Sequence, residues 1–213
     1  MTITKKFLGT AILACVLGGC AQTAKESLFN GKDLSNWNFV VEGNVAAEQV
    51  YSVQDGEILI QGTPLGYMYT KKKYGNCTLE AEWRWVDEPS NSGIFLLIAD
   101  PANPFPNGIE CQLHAGDAGD FVLLGGSEMA EYVLPEGMET RPKFPVVKKR
   151  GESSEKAAGE WNRARIILLD GQITVYINDV LQNVGTSPVK EGYIGLQSEG
   201  KRVAFRNINI SNK

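Results

Sequence analysis

Glu110, Gln112 and His114 occupy alternate positions in the stretch Asn107-Gly108-Ile109-Glu110-Cys111-Gln112-Leu113-His114. Successive side chains of an extended strand point to opposite faces, so these three share one face and Ile109, Cys111 and Leu113 share the other. The apolar set reads as the inner layer of a sandwich. The polar set brings together a carboxylate, an amide and the single histidine of the chain. A carboxylate or an imidazole needs only a modest environmental shift to exchange protons near neutral pH, so Glu110 or His114 suits the part of a general base. An amide both donates and accepts, which suits Gln112 to hydroxyl recognition. This row is the expected active site.

Other residues of the same chemical types lie on neighbouring strand candidates. From Thr78 to Val86 the chain alternates, with Leu79, Ala81, Trp83 and Trp85 on one face and Thr78, Glu80, Glu82 and Arg84 on the other. If this strand neighbours that of Glu110, Arg84 would stabilise a developing oxyanion and Glu82 would bind a polar ligand. Glu80 and Glu82 together with His114 would offer ligands for a divalent cation, although no definite metal motif is present. The ordinary alternative for a Glu-x-Glu-x-Arg row is a solvated face with cross-strand ion pairs. Asn91 and Gln197 are further amides suited to hydroxyl recognition. Trp83, Trp85 and Trp161 read as core.

Short strands separated by turn signals must position these groups. Asp55-Gly56 separates Tyr51-Ser52-Val53 from Ile58-Leu59-Ile60, and Asp170-Gly171 separates Trp161–Leu169 from Ile173–Ile177; each reads as a tight hairpin. Strands are also expected over Gly66–Thr70, over the apolar run Ile94–Ile98 and over Phe121–Leu124. A last hairpin is expected from Tyr193–Ser198 through Glu199-Gly200-Lys201 into Val203–Ile210. Between Leu134 and Glu160 the alternation gives way to prolines, glycines and Lys148-Lys149-Arg150, a surface excursion that would serve as a lid. Helical periodicity is absent beyond the leader. The pattern predicts an all-β, single-domain jelly-roll sandwich without internal repeats.

The leader is a targeting segment. Lys5 and Lys6 precede an apolar run from Phe7 to Val16, which at about a dozen residues is too short to span a bilayer. Leu17-Gly18-Gly19-Cys20 resembles the bacterial lipobox, so residues 1–19 are expected to be removed and Cys20 to carry lipid. Residues 20–27 then form a tether and 28–213 the folded domain, held in the bacterial cell envelope at the periplasmic face or the outer membrane. The whole chain has a net charge of −4. Loss of Lys5 and Lys6 makes it more acidic, which argues against nucleic-acid partners. Cys77 and Cys111 both take core-facing positions; a disulfide and two buried thiols are equally compatible with that.

Several phrases, in order, resemble one family. They are Leu28-Phe29-Asn30-Gly31-Lys32-Asp33-Leu34-Ser35-Asn36-Trp37, Asn91-Ser92-Gly93-Ile94, Ile109-Glu110-Cys111-Gln112-Leu113, Gly159-Glu160-Trp161-Asn162, Gly195-Leu196-Gln197 and Phe205-Arg206-Asn207-Ile208. They resemble the 3-keto-disaccharide hydrolase domains, common in bacterial envelope lipoproteins. The resemblance implies the concanavalin A-like jelly roll and a small carbohydrate substrate oxidised to the ketone at its third carbon. It departs in two places: Ser198-Glu199-Gly200 stands where members carry Asp-His-Gly, and His114-Ala115-Gly116 where many have an aspartate. On such a substrate, a base removes the acidified proton beside the ketone, the glycosidic oxygen leaves by elimination, and water adds back. Glu110, His114 and Arg84 are the expected catalytic groups; Glu82, Asn91, Gln112 and Gln197 the expected substrate-binding ones. A conventional two-carboxylate glycosidase and a non-catalytic carbohydrate-binding module remain as alternatives on the same fold.

Overall fold

A computed structural model describes residues 25–212. The leader and Cys20 lie outside the described residues. β1 (Lys25–Ser27), β2 (Trp37–Val41), β3 (Tyr51–Gln54), β4 (Glu57–Ile60) and β5 (Gly66–Thr70) precede the long strand β6 (Cys77–Trp85). β7 (Gly93–Asp100), β8 (Asn107–Gln112), β9 (Phe121–Leu124) and the two-residue β10 (Val146–Val147) follow. The remaining strands are β11 (Asn162–Leu169), β12 (Gln172–Ile177), β13 (Val180–Thr186), β14 (Tyr193–Ser198) and β15 (Val203–Asn212). One 3-10 turn, Ala47–Gln49, is the only helical element among the described residues.

The strands make two antiparallel sheets, the sandwich that the alternation predicts. Sheet I runs β13-β12-β11-β6-β15-β4-β3, with β1 also paired to β15; sheet II runs β10-β9-β8-β7-β14-β5-β2. Between them lies one core. Leu79, Ala81, Trp83 and Trp85 enter it from β6, Ile109 and Cys111 from β8, and Ile194 and Leu196 from β14. A second apolar cluster covers the outer face of sheet II, built from Tyr67, Phe95, Ile98, Val122 and Leu124. A bulge in β7 explains how one strand serves both layers. Leu97 has φ 53°, and the pairing to β14 and β8 shifts there, so Leu96 and Leu97 both face the core while Phe95 and Ile98 face outward.

The two Asp-Gly turns form as expected. Asp55 and Gly56 have φ of 52° and 77°, Asp170 and Gly171 of 50° and 88°, the pair of positive values that a tight primed turn requires. The last expected hairpin does not form. β14 belongs to sheet II, between β7 and β5, and β15 to sheet I, between β6 and β4. Glu199-Gly200-Lys201 therefore carries the chain from one sheet to the other, with Gly200 at φ 76° against the Ser90 hydroxyl. A turn motif alone does not say whether its flanking strands pair or cross over.

Two other differences have local causes. Lys25–Ser27, read as tether, adds β1 to the edge of β15. The Leu134–Glu160 excursion is pinned along its middle: β10 extends sheet II, and Asp120, 2% exposed, accepts from Lys148 Nζ and Lys149 N, each at 2.7 Å. Phe144 from this excursion packs on Phe105 at 4.7 Å between centroids and joins the outer cluster of sheet II. Cys111 keeps a free thiol, and burial pushes its pKa up.

Candidate active site

Glu110 lies near the middle of sheet II. Phe95 stands beside it on β7 and Val122 on β9. Because Ile109 and Cys111 point into the core, the Glu110 side chain projects from the outer face, among Phe95, Val122 and the residues packed over them. It is only 3% exposed, and its Oε1 is buried with no hydrogen-bond partner. Burial first, and the nearby Glu199 charge second, raise its pKa well above the ordinary carboxylate range.

Gly93 makes room for this carboxyl. It stands opposite Gln112 on β8, and a Cβ at Gly93 would come within 2.8 Å of both Cγ and Cδ of Glu110. On the other side of Gly93, Leu196 pairs with Ile94, so Gln197 is its neighbour on β14. Gln197 Nε2 donates to Glu199 Oε2 at 2.7 Å, and Asn91 hydrogen-bonds the same carboxylate. The partly exposed Glu199 is raised less decisively: burial raises it, while these two amides and the neighbouring His114 charge oppose that. Asn91 Oδ1 and Gln197 Oε1 are left buried without donors, as is Glu110 Oε1. The two unmatched amide oxygens beside the acid pair suit a ligand rich in hydroxyl donors.

The sequence-predicted groups divide between two places. Glu110, Gln197 and Asn91 come together here, with His114 at the rim. His114 is 52% exposed, its Nδ1 lies 3.4 Å from Asp117 Oδ2, and its charge reaches Glu199. Gln112 borders the site, but its Oε1 accepts from the backbone of Leu113 and His114, both at 3.1 Å, and so shapes the turn after β8.

Arg84 and Glu82 are elsewhere. β6 pairs with β11 and β15 in sheet I while β8 lies in sheet II, so the adjacency required for Arg84 to assist Glu110 is not met. Both project from the outer face of sheet I, across the full thickness of the core. Arg84 donates to Glu57 at 2.9 Å, and Glu82 accepts from Arg206 at 2.6 Å and Asn207 at 3.0 Å. Trp161, expected in the core, lies there against Arg206 and Arg84, whose guanidinium carbons are 3.9 and 5.0 Å from its ring centroid. Glu80 pairs with Lys25 and Arg163 on the same face. Glu80, Glu82 and His114 therefore do not converge, and no cluster of three or more His, Cys, Asp or Glu side chains among the described residues is arranged to hold a metal. Arg84→Ala should leave turnover within about twofold of wild type while lowering stability by about 1 kcal/mol, through the lost stacking and ion pair. Steady-state kinetics beside urea unfolding checks this; a tenfold loss of kcat would return Arg84 to the mechanism.

Glu199 was not singled out by sequence reasoning. It follows a strand of the expected kind and sits in a turn, where its carboxylate accepts from the Gln197 amide two residues earlier. The one available signal was its place in Ser198-Glu199-Gly200, where the family pattern differs.

The chain resembles known proteins over most of its length. A 3-keto-disaccharide hydrolase of Bacteroides thetaiotaomicron is 23% identical over 226 residues, spanning 86% of this chain and 77% of that protein. A candidate glycosyl hydrolase from Parabacteroides distasonis superposes with a TM-score of 0.64 at 22% identity, over 89% of this chain and 94% of its own. The carbohydrate-binding module CBM66 from Bacillus subtilis gives 0.61 at 12% identity, over 83% and 96%. Identities this low establish a shared jelly-roll fold alone. The model of the 3-keto-alpha-glucoside-1,2-lyase-like domain, in contrast, matches residues 24–211, and the chain belongs to that family.

Proposed function

We propose that this protein is a carbohydrate-active enzyme that cleaves 3-keto-glycosides, with Glu199 as base and Glu110 as acid. The observation that carries this reading is the acid pair itself: a buried Glu110, its pKa raised well above the carboxylate range by burial, beside a Glu199 that is clasped by amides and more open to solvent. Two neighbouring carboxyls with different environments separate into acid and base. The family, and the name of the Bacteroides relative, support the 3-keto sugar as substrate.

The chemistry balances on these two groups. Glu199 takes the proton from the second carbon, which the adjacent ketone acidifies. Its electron pair forms the double bond to the first carbon as the bond to the glycosidic oxygen breaks, and that oxygen receives the Glu110 proton. Hydration reverses the roles: Glu110 takes a proton from water as its oxygen bonds to the first carbon, and Glu199 returns its proton to the second. Both carboxyls end as they began. Asn91 and Gln197 hold Glu199 and present carbonyl oxygens to sugar hydroxyls. The expectation of Glu110 as base thus becomes, on this reading, Glu110 as acid. His114, on the rim, supports exchange of the Glu199 proton with solvent. The lipobox-like Leu17-Gly18-Gly19-Cys20 supports attachment of the enzyme to the cell envelope through lipid on Cys20.

The deciding experiment incubates the protein with an aryl 3-keto-glucoside and with its unoxidised parent, with and without a chelator, and follows aryl alcohol release. Release from the ketone alone is expected. Release from the parent would point to a conventional two-carboxylate glycosidase, and binding of both without release to a carbohydrate-binding module. A chelator-sensitive rate would add a metal to the mechanism.

A further inference from the structure

Resting on the acid-pair reading, we propose that Asp117 is a positioning residue of the reaction: it holds the His114 ring beside Glu199, so that the proton taken from the second carbon is traded with solvent before water adds. The register places His114 there. Gly93 pairs with Gln112, Leu113 N donates to Ser92 O at 2.9 Å, and Ala115 N donates to Ser90 O at 3.0 Å. The ladder between β7 and β8 thus continues past both strands, and His114 stands directly opposite Asn91. Asn91 in turn hydrogen-bonds the Glu199 carboxylate. Lys201 N donates to Ser90 Oγ at 3.1 Å, which ties the turn that carries Glu199 to the same ladder. His114 is therefore one strand spacing, roughly 5 Å, from the residue that touches Glu199, and it shares the outer face of sheet II with Glu110.

The turn that presents His114 also fixes the acid facing its ring. Asp117 N donates to His114 O at 2.8 Å, and Gly116 N donates to Glu155 Oε2 at 2.8 Å. Asp117 Oδ2 lies 3.4 Å from His114 Nδ1, and its Oδ1 lies 3.9 Å from Lys148 Nζ. Lys148 is itself held by the buried Asp120 at 2.7 Å. An acid at Nδ1 favours the neutral ring that carries its proton there and leaves Nε2 to take one. The proton on Glu199 then passes to Nε2, the imidazolium releases a proton to water, and a solvent proton returns by the same steps. Only N–H and O–H bonds change, and the ring ends as it began. A ring half exposed at the rim meets both the site and bulk water, which the buried Glu110 does not. The interaction of its charge with Glu199 agrees with this placement.

Turnover of an aryl 3-keto-glucoside in deuterium oxide tests this, with an enzyme-free control and mass spectrometry of the product early in the reaction. Wild type should place deuterium at the second carbon of most product molecules. Asp117→Ala and His114→Ala should each lower that fraction about fivefold or more. Because His114 is the single histidine of the chain, the ring nitrogen signals of an untagged, isotope-labelled protein give a second reading. The neutral ring should carry its proton on Nδ1 in wild type and on Nε2 in Asp117→Ala. Wild-type deuterium levels in either variant, little deuterium in the wild-type product, or a wild-type ring protonated on Nε2 would overturn the proposal. If wild type releases no aryl alcohol, the acid-pair reading fails on its own, and the ring signals decide the pair. A proton on Nδ1 that Asp117→Ala moves to Nε2 sustains it; the same ring signals in both proteins overturn it.

Discussion

Glu110→Gln should lower kcat on a 3-keto-glycoside by about 10²- to 10⁴-fold while making the protein more stable at alkaline pH. The kinetic part follows from losing a positioned acid, since the amide fills the same space and cannot deliver a proton. The stability part follows from the raised pKa of the buried carboxyl. Below about pH 4.3, where an unfolded glutamate also keeps its proton, the group costs nothing on folding. As pH rises past that value, the unfolded chain ionises Glu110 and the folded chain does not, so stability falls until the folded group ionises too. Gln does not titrate. The variant should therefore melt above wild type at pH 8 and together with it near pH 4, in thermal unfolding followed by circular dichroism. Wild-type turnover would remove Glu110 from the mechanism, and a melting difference independent of pH would contradict its buried, proton-holding state.

Gly93→Ala should abolish most activity without touching a chemical group. A Cβ there would collide with the Glu110 carboxyl oxygen and lie 2.8 Å from Cγ and Cδ, so the glutamate must rotate away. The backbone itself accepts alanine, because Gly93 lies in a regular strand outside the positive-φ region. Retained folding with kcat reduced about 100-fold or more is the expected outcome, since a displacement of roughly 1 Å in a catalytic group costs rates of that order. Near-UV circular dichroism and steady-state kinetics on one preparation check both parts. Activity within threefold of wild type would show that the observed placement of Glu110 over Gly93 is not the reactive one.

Much of this architecture is legible in the chain. Alternation over Cys77–Trp85 and Ile109–Leu113 correctly separates core-facing from outward side chains, because the side-chain period of two is a property of the strand alone. The Asp-Gly pairs locate two hairpins because few residues tolerate consecutive positive φ values. β13 was harder to read: Gln182 and Asn183 resemble a loop by composition, yet both are buried, with Asn183 Nδ2 donating to Gly119 O and Val147 O at 3.1 Å. Their side-chain amide groups donate to distant segments, Gln182 Nε2 to Glu152 O and Ser154 Oγ, which composition does not reveal.

The site divides along the same line. Local periodicity placed Glu110, Gln112 and His114 on one face of one strand, and the order of motifs pointed to the family. The same periodicity holds for every strand, so it carries no information on which sheet a strand joins. That is why Glu82 and Arg84, identical in pattern to a working row, stand on the far side of the core in ion pairs of their own. Strand order, set by pairing between segments a hundred residues apart, brought Gln197 beside Gly93. Glu199 follows two residues after Gln197 and accepts from its amide, and burial among Phe95 and Val122 raised the pKa of Glu110 well above the ordinary carboxylate range. Desolvation and proximity of like charge are properties of the packed molecule, and they exist only once the two sheets have closed.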